Sequence, residues 1–153
     1  MNPGGLKKFA LLVEFSEEDR LALCELLAPQ SLEDGETLFC EGDEADSLFL
    51  VKSGRLRAKS RASGPLGLLC EGSTLGGVSL MTIGVREVTV FAQDPCELLV
   101  LSREGFRRLA EDAPRAACRL AEAVVADLAT GLRPHLVAIQ REFPSDDVVV
   151  SAD

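Results

Sequence analysis

Residues 34–56 read DGETLFCEGDEADSLFLVKSGRL. Gly35, Gly42 and Gly54 divide this stretch into short apolar runs, of which Leu38–Cys40 and Ser47–Lys52 have the length and composition of β-strands. Glycine between such runs supplies the positive φ or the close backbone approach that tight turns need. The same texture continues downstream. Arg55–Ser60, Leu66–Cys70, Arg86–Phe91 and Cys96–Leu101 read as further strands, with Gly64, Gly72 and Gly84 between them. Short strands at this spacing imply a β-sandwich or barrel over residues 30–101, not a parallel sheet with helical crossovers.

On both sides of this region the apolar period becomes helical. Leu6, Phe9, Leu12 and Val13 predict one short amphipathic helix. Ser16 followed by Glu17, Glu18 and Asp19 predicts a capped, acid-rich first turn of a second helix, continued by Leu21, Cys24, Leu27 and Ala28 as far as Pro29. Beyond the strands, Ser102 is placed to cap a helix over 103–112 with Phe106, Leu109 and Ala110 inward. Pro114 suits the first turn of another helix. Ala117, Leu120, Ala121, Val124, Leu128 and Leu132 give it an apolar stripe, and Gly131 and Pro134 are expected to break or kink it before a continuation over His135–Glu142. The reading is therefore a single domain over residues 1–142, mainly β with flanking helices, and a frayed tail over 143–153 in which Val148–Val150 could pair as a stray strand.

Composition removes several classes of function. The chain has 153 residues, 46% hydrophobic and 27% charged, so it can bury a single core and is not a disordered chain. His135 is the single histidine, which leaves no set of imidazoles for a His-rich metal site and no plausible base for a catalytic triad. We expect no metal, no catalytic residues and no enzyme. The five cysteines, at 24, 40, 70, 96 and 118, form no CxxC pair and are expected to be reduced, mostly buried thiols. No apolar run is long enough for a spanning helix and no signal peptide is read, so the expected compartment is the cytoplasm, with no membrane partner. Residues 1–55 hold 12 acids against 5 bases, and the whole chain carries −9. With no Trp or Tyr for base stacking as well, direct nucleic-acid binding is not expected.

Helices, a glycine-punctuated β region and two further helices follow one another in an order that resembles the cyclic-nucleotide-binding domain family, as in Crp/Fnr-type regulators, protein kinase A regulatory subunits and gated channels. The glycine spacing of residues 34–56 carries part of the likeness. The rest lies in EGSTLGGVSLMTIGVREVTV, residues 71–90, which resembles the family's phosphate-binding cassette without a length change. The likeness covers about residues 6–133. It implies a double-stranded β-helix, a jelly-roll-like β-roll with N-terminal helices and two C-terminal helices. It also implies a ligand site made of Gly76, Gly77, Val78, Ser79, Leu80, Arg86, Glu87 and Val88, with Arg86 as the phosphate-pairing arginine. Phosphate chemistry suits these residue types, since backbone N–H groups at a helical start and a guanidinium both favour an anion.

The cassette also departs from the family pattern. Binding members usually carry Gly-Glu, whose carboxylate accepts the ribose 2′-hydroxyl, and Gly77 stands at that place here. The family's Pro-Arg-Ala/Thr-Ala becomes Val85-Arg86-Glu87-Val88. If Arg86 points inward, strand alternation sends Glu87 outward. Glu71 or Ser79 would have to reach the sugar instead. Some cyclic-AMP regulators read the base with a Thr-Ser pair on the long helix, and Gly131 and Leu132 stand there. The expected function is a stand-alone sensor or regulatory module that binds cyclic AMP, cyclic GMP or another small anionic effector, with no cofactor besides that ligand. The alternative is a structural or protein-interaction domain on the same fold. A homodimer through the stripe of helix 114–133, and an unidentified protein partner, are the expected outputs.

Overall fold

The computed structural model describes residues 3–142, with side chains over 4–130. The tail expected over 143–153, with Val148–Val150, lies outside the described residues.

The N-terminal segment forms two 3-10 turns, Pro3–Lys8 and Ala10–Leu12, in place of the expected α-helix. Leu6, Phe9 and Leu12 are fully buried, but Val13 is exposed, because the tighter winding takes it off the apolar face. Helix α1 covers Glu17–Cys24. Its Ser16 cap is reciprocal: Asp19 N–H donates to Ser16 Oγ, and Ser16 N–H donates to an Asp19 carboxylate oxygen. The helix ends before Pro29, and Leu21 is exposed. Ala28 and Pro29 belong instead to strand β1, Ala28–Leu32. This is an outer strand, paired only with the strand at 96–102, and a residue without an N–H is tolerated at such an edge.

The strands that follow are β2 (Thr37–Phe39), β3 (Glu44–Ala45), β4 (Ser47–Ser53), β5 (Leu56–Ser60), β6 (Gly64–Leu69), β7 (Thr74–Leu75), β8 (Gly84–Val85), β9 (Thr89–Ala92) and β10 (Cys96–Ser102). They form two four-stranded antiparallel sheets, ordered β1-β10-β4-β7 and β2-β9-β5-β6, with β3 and β8 as a separate pair. The strand expected over Arg86–Phe91 is shorter: β9 begins only at Thr89, and Arg86 lies in the link that joins it to β8, which ends at Val85. Gly84 sits inside β8 without a positive φ and has open space around it, so it serves neither a tight turn nor a close approach. Gly54 serves both. Its φ is +87°, and a Cβ there would lie 2.7 Å from Cys96 Sγ and collide with the Pro95 carbonyl.

Two cores result. Between the sheets lie Leu32, Phe49, Val51, Leu56, Val90, Ala92, Cys96 and Leu98. On the outer face of the first sheet, Leu48, Leu50, Leu99 and Leu101 pack against the helical segments. Strand β4 is thus covered on both sides, which is why Leu48–Val51 is an unbroken apolar run and not an alternating one.

Helix α2 spans Arg103–Asp112, and Ser102 Oγ accepts from Gly105 N–H as a cap. Phe106 and Leu109 face inward, while Ala110, expected inward, is exposed. Helix α3 runs from Pro114 to Glu142 without a break at Gly131 or Pro134. A proline removes only one turn's hydrogen bonding, and the bonds on either side carry the helix through. Ala117, Leu120 and Val124 are buried in the chain's own outer core. Three residues of the stripe expected to pair two chains are thus covered within one, Leu128 of the same stripe is exposed, and among the described side chains of this helix Val125 and Leu128 are the exposed large apolar ones. The expectation for the thiols also changes. Cys40, Cys70 and Cys118 are exposed and only Cys96 is buried, where desolvation raises its pKa while its Sγ–H points at the carbonyls of Arg55 and Asp94.

Candidate functional site

After β7 the chain makes one left-handed step at Gly76, φ +83°, and enters a 3-10 turn over Gly77–Leu80. A side chain at Gly76 is impossible on two counts. The backbone is left-handed, and a Cβ would stand 2.5 Å from Arg86 Nη1 and 2.7 Å from the Ser47 carbonyl oxygen. Ser79 N–H closes the turn onto the Gly76 carbonyl at 3.0 Å. The N–H groups of Gly77 and Val78 precede that first bond and have no acceptor within the turn.

Arg86 is held opposite. Its backbone is clamped to the 40–43 turn: its N–H donates to the Asp43 carbonyl at 2.7 Å, and its own carbonyl accepts from Gly42 N–H at 2.8 Å. The side chain is only 7% exposed. One guanidinium nitrogen donates to the Ser47 carbonyl at 3.1 Å and the other approaches Ser79 Oγ at 3.4 Å. The guanidinium carbon lies 4.4 Å from the centre of the Phe39 ring and 5.3 Å from that of Phe49. Among the described residues no carboxylate forms an ion pair with it. Burial lowers its pKa, and the more distant charges of Asp46 and Asp43 partly oppose that shift. A guanidinium in this state is still cationic, has lost much of its water, and among the described residues donates to neutral groups, the Ser47 carbonyl and Ser79 Oγ.

The guanidinium and the turn share a cavity of about 540 Å³ whose lining includes Gly76, Val78, Ser79, Arg86, Glu87 and Val88. Of the eight residues expected at the site, six line this cavity. Gly77 does not, and neither does Leu80, whose side chain is buried in the helical core. Glu87 is exposed but also lines the cavity, because residues 86–88 form a link between strands where the alternation expected to send it outward does not operate. Ser79 Oγ lies 3.4 Å from the Arg86 guanidinium, and Glu71, the other residue expected near the sugar, is paired with Lys8 at 2.8 Å. Gly77 has a role of its own. A Cβ on it would lie 2.8 Å and 3.1 Å from the two methyl groups of Val124, so α3 is seated directly on the turn. Gly131 and Leu132 lie where only the backbone is described.

Three contributors were not legible in the sequence. Phe39 and Phe49 read as strand residues, yet their rings face the guanidinium. Arg103 reads as a surface residue of a first helical turn. In the structure its guanidinium donates to the carbonyls of Ser79, Ala45 and Thr82 at 3.0, 2.8 and 2.8 Å, fixing the far end of the turn to the start of α2. Only the three-dimensional approach of these elements reveals it.

The profile of the cyclic nucleotide-binding domain matches residues 29–113. A cAMP-dependent protein kinase regulatory subunit of Yarrowia lipolytica is 32% identical over 110 residues, 71% of this chain and 29% of that protein. The chain thus spans less than a third of the length of this curated relative. The crystal structure of the Thermus thermophilus catabolite activator protein superposes with a TM-score of 0.73 at 30% identity, covering 85% of this chain and 61% of that one. The N-terminal domain of a transcriptional regulator from Streptomyces coelicolor gives a TM-score of 0.73 at 26% identity, covering 83% of this chain and 94% of that one. Matched over more than half its length, with the β-roll, the turn and the inward arginine in place, the chain belongs to the cyclic nucleotide-binding domain family.

Proposed function

We propose that this chain is a regulatory module that takes up a small organic anion, cyclic nucleotides among them, against Arg86 and the 76–80 turn. The observation that carries the reading is a buried guanidinium with no carboxylate partner among the described residues, facing a cavity large enough for a nucleotide-sized ligand. Family membership supports it, and so do the relatives named for cyclic AMP dependence. The ligand replaces the water that Arg86 has lost, and a charged hydrogen bond formed there is worth about 1.5–3 kcal/mol.

The output runs through α3. Val124 rests on Gly77 and Leu128 lines the cavity, so the helix touches both the turn and the space a ligand fills. A ligand that contacts the helix differently in two positions shifts it, and a partner protein or a second copy would read Val125 and Leu128. The exposed free thiols fit a reducing compartment, the cytoplasm. A scaffold that binds nothing is the second reading, favoured by the close seating of Val124 at the sugar side of the turn. A thermal melt with cyclic AMP and cyclic GMP separates the two. A ligand at a hundred times its Kd is expected to add about 2.7 kcal/mol of stability. A melting curve unmoved by either nucleotide at millimolar concentration favours the scaffold.

A further inference from the structure

Four of the residues that line the cavity have polar side chains: Ser79, Thr82, Arg86 and Glu87. Ser79 Oγ is engaged by Arg86, and Thr82 Oγ1 donates to the Val78 carbonyl at 3.0 Å. Among the described residues Glu87 is the one carboxylate in the lining, directly after Arg86 in the chain, where it repels an anion's other oxygens instead of inviting them. The remaining wall is apolar: Leu75, Val78, Ile83, Val85, Val88 and Leu128. Ile83 is 90% exposed, Val85 60% and Leu128 49%, so a rim of aliphatic side chains stands in water around a buried cation. Exposed aliphatic groups concentrated at the mouth of a cavity have surface to gain from an apolar ligand. The position from which a carboxylate would reach a sugar is filled by the methyl groups of Val124.

We propose that the site recognises a compact anion joined to a flat apolar body, and that the ribose 2′-hydroxyl adds nothing to its affinity. This rests on the reading of Arg86 as the anion receptor. The anion meets the guanidinium, and the ligand's apolar face covers Val78, Ile83, Val85 and Leu128. A sugar hydroxyl carried into this wall loses water without finding a partner, which is unfavourable. An aromatic ring in the same place loses only water it holds weakly.

Calorimetric titration with four probes tests this: cyclic AMP, 2′-deoxy cyclic AMP, phenyl phosphate and ribose 5-phosphate. The two cyclic nucleotides are expected to agree within about threefold, and phenyl phosphate to bind at least about tenfold more tightly than ribose 5-phosphate, which matches it in charge. The double variant Ile83→Ser, Val85→Ser changes two exposed side chains and so keeps the core intact. It is expected to weaken phenyl phosphate and leave ribose 5-phosphate unchanged. A tenfold loss on removing the 2′-hydroxyl, or ribose 5-phosphate binding as tightly as phenyl phosphate, overturns the inference and leaves the anion site standing. If that 2′-hydroxyl preference disappears in Glu87→Gln, Glu87 is the sugar acceptor. No heat with any of the four probes overturns both readings.

Discussion

Arg86→Met is expected to reduce cyclic nucleotide binding by about ten- to a hundredfold, the loss of one charged hydrogen bond to an anion. The same change is expected to leave the melting temperature within a few degrees of the unaltered protein. The two outcomes have one cause. In the free protein the guanidinium is buried without an ion-paired carboxylate among the described residues, and burial lowers its pKa by penalising the charged form. Burying a charge costs more than burying an apolar side chain of similar length, and relief of that cost offsets the hydrogen bond to the Ser47 carbonyl that methionine cannot make. Methionine also keeps a flexible stem against Phe39 and Phe49, where a thioether packs well on aromatic rings. Calorimetric titration and a melting curve on one preparation check both halves. A variant that unfolds would show that Arg86 is a structural strut. A variant that binds as before would place the anion elsewhere.

Gly77→Glu is expected to destabilise the fold by about 1–3 kcal/mol and not to raise affinity for cyclic AMP. From sequence, this change looks like restoration of a missing sugar contact. In the structure the first carbon of the new side chain would meet the Val124 methyl groups at 2.8 and 3.1 Å. The helix must lift or the turn must move. Val124→Ala removes the methyl groups concerned, so the double variant should be less destabilised than the two single changes added together. The coupling is expected to be at least about 1 kcal/mol in a double-mutant cycle. Strict additivity, or a Gly77→Glu protein of normal stability with improved binding, would show that α3 does not rest on the turn.

The fold was legible because its signals are local. Ser16 and Ser102 cap their helices as their neighbours suggest, and the run Leu48–Val51 marks a strand covered on both faces. Where local and tertiary preferences compete, the sequence misleads. Leu27 and Ala28 continue an apolar helical pattern that Pro29 is expected to end, yet the helix stops at Cys24 and the edge of a sheet claims Ala28 and Pro29. Leu120 and Val124 have the spacing of a helix pair, but the outer core of the β-roll uses that same face. No periodicity distinguishes a stripe that packs at home from one that packs on a partner.

The site was legible in its outline and not in its chemistry. Gly76 and Arg86 stand at a recognisable spacing, and the structure brings them to within a guanidinium's thickness of each other. Gly77 looks like an omission in the sequence and is in fact a contact, because only the approach of Val124 gives its missing side chain a meaning. Arg103 lies 17 positions beyond Arg86 and carries no motif, yet it fixes the carbonyls of Ser79 and Thr82. Such roles belong to distances between elements, which residue order alone does not encode.

The most direct measurement is the nitrogen-15 resonance of the Arg86 side chain during titration with cyclic AMP, assigned by its disappearance in Arg86→Met. The signal is expected to shift progressively and to saturate with the same midpoint as the heat of binding. Heat that saturates while the Arg86 resonance stays still would contradict the central claim, since the anion would then be held by some other group.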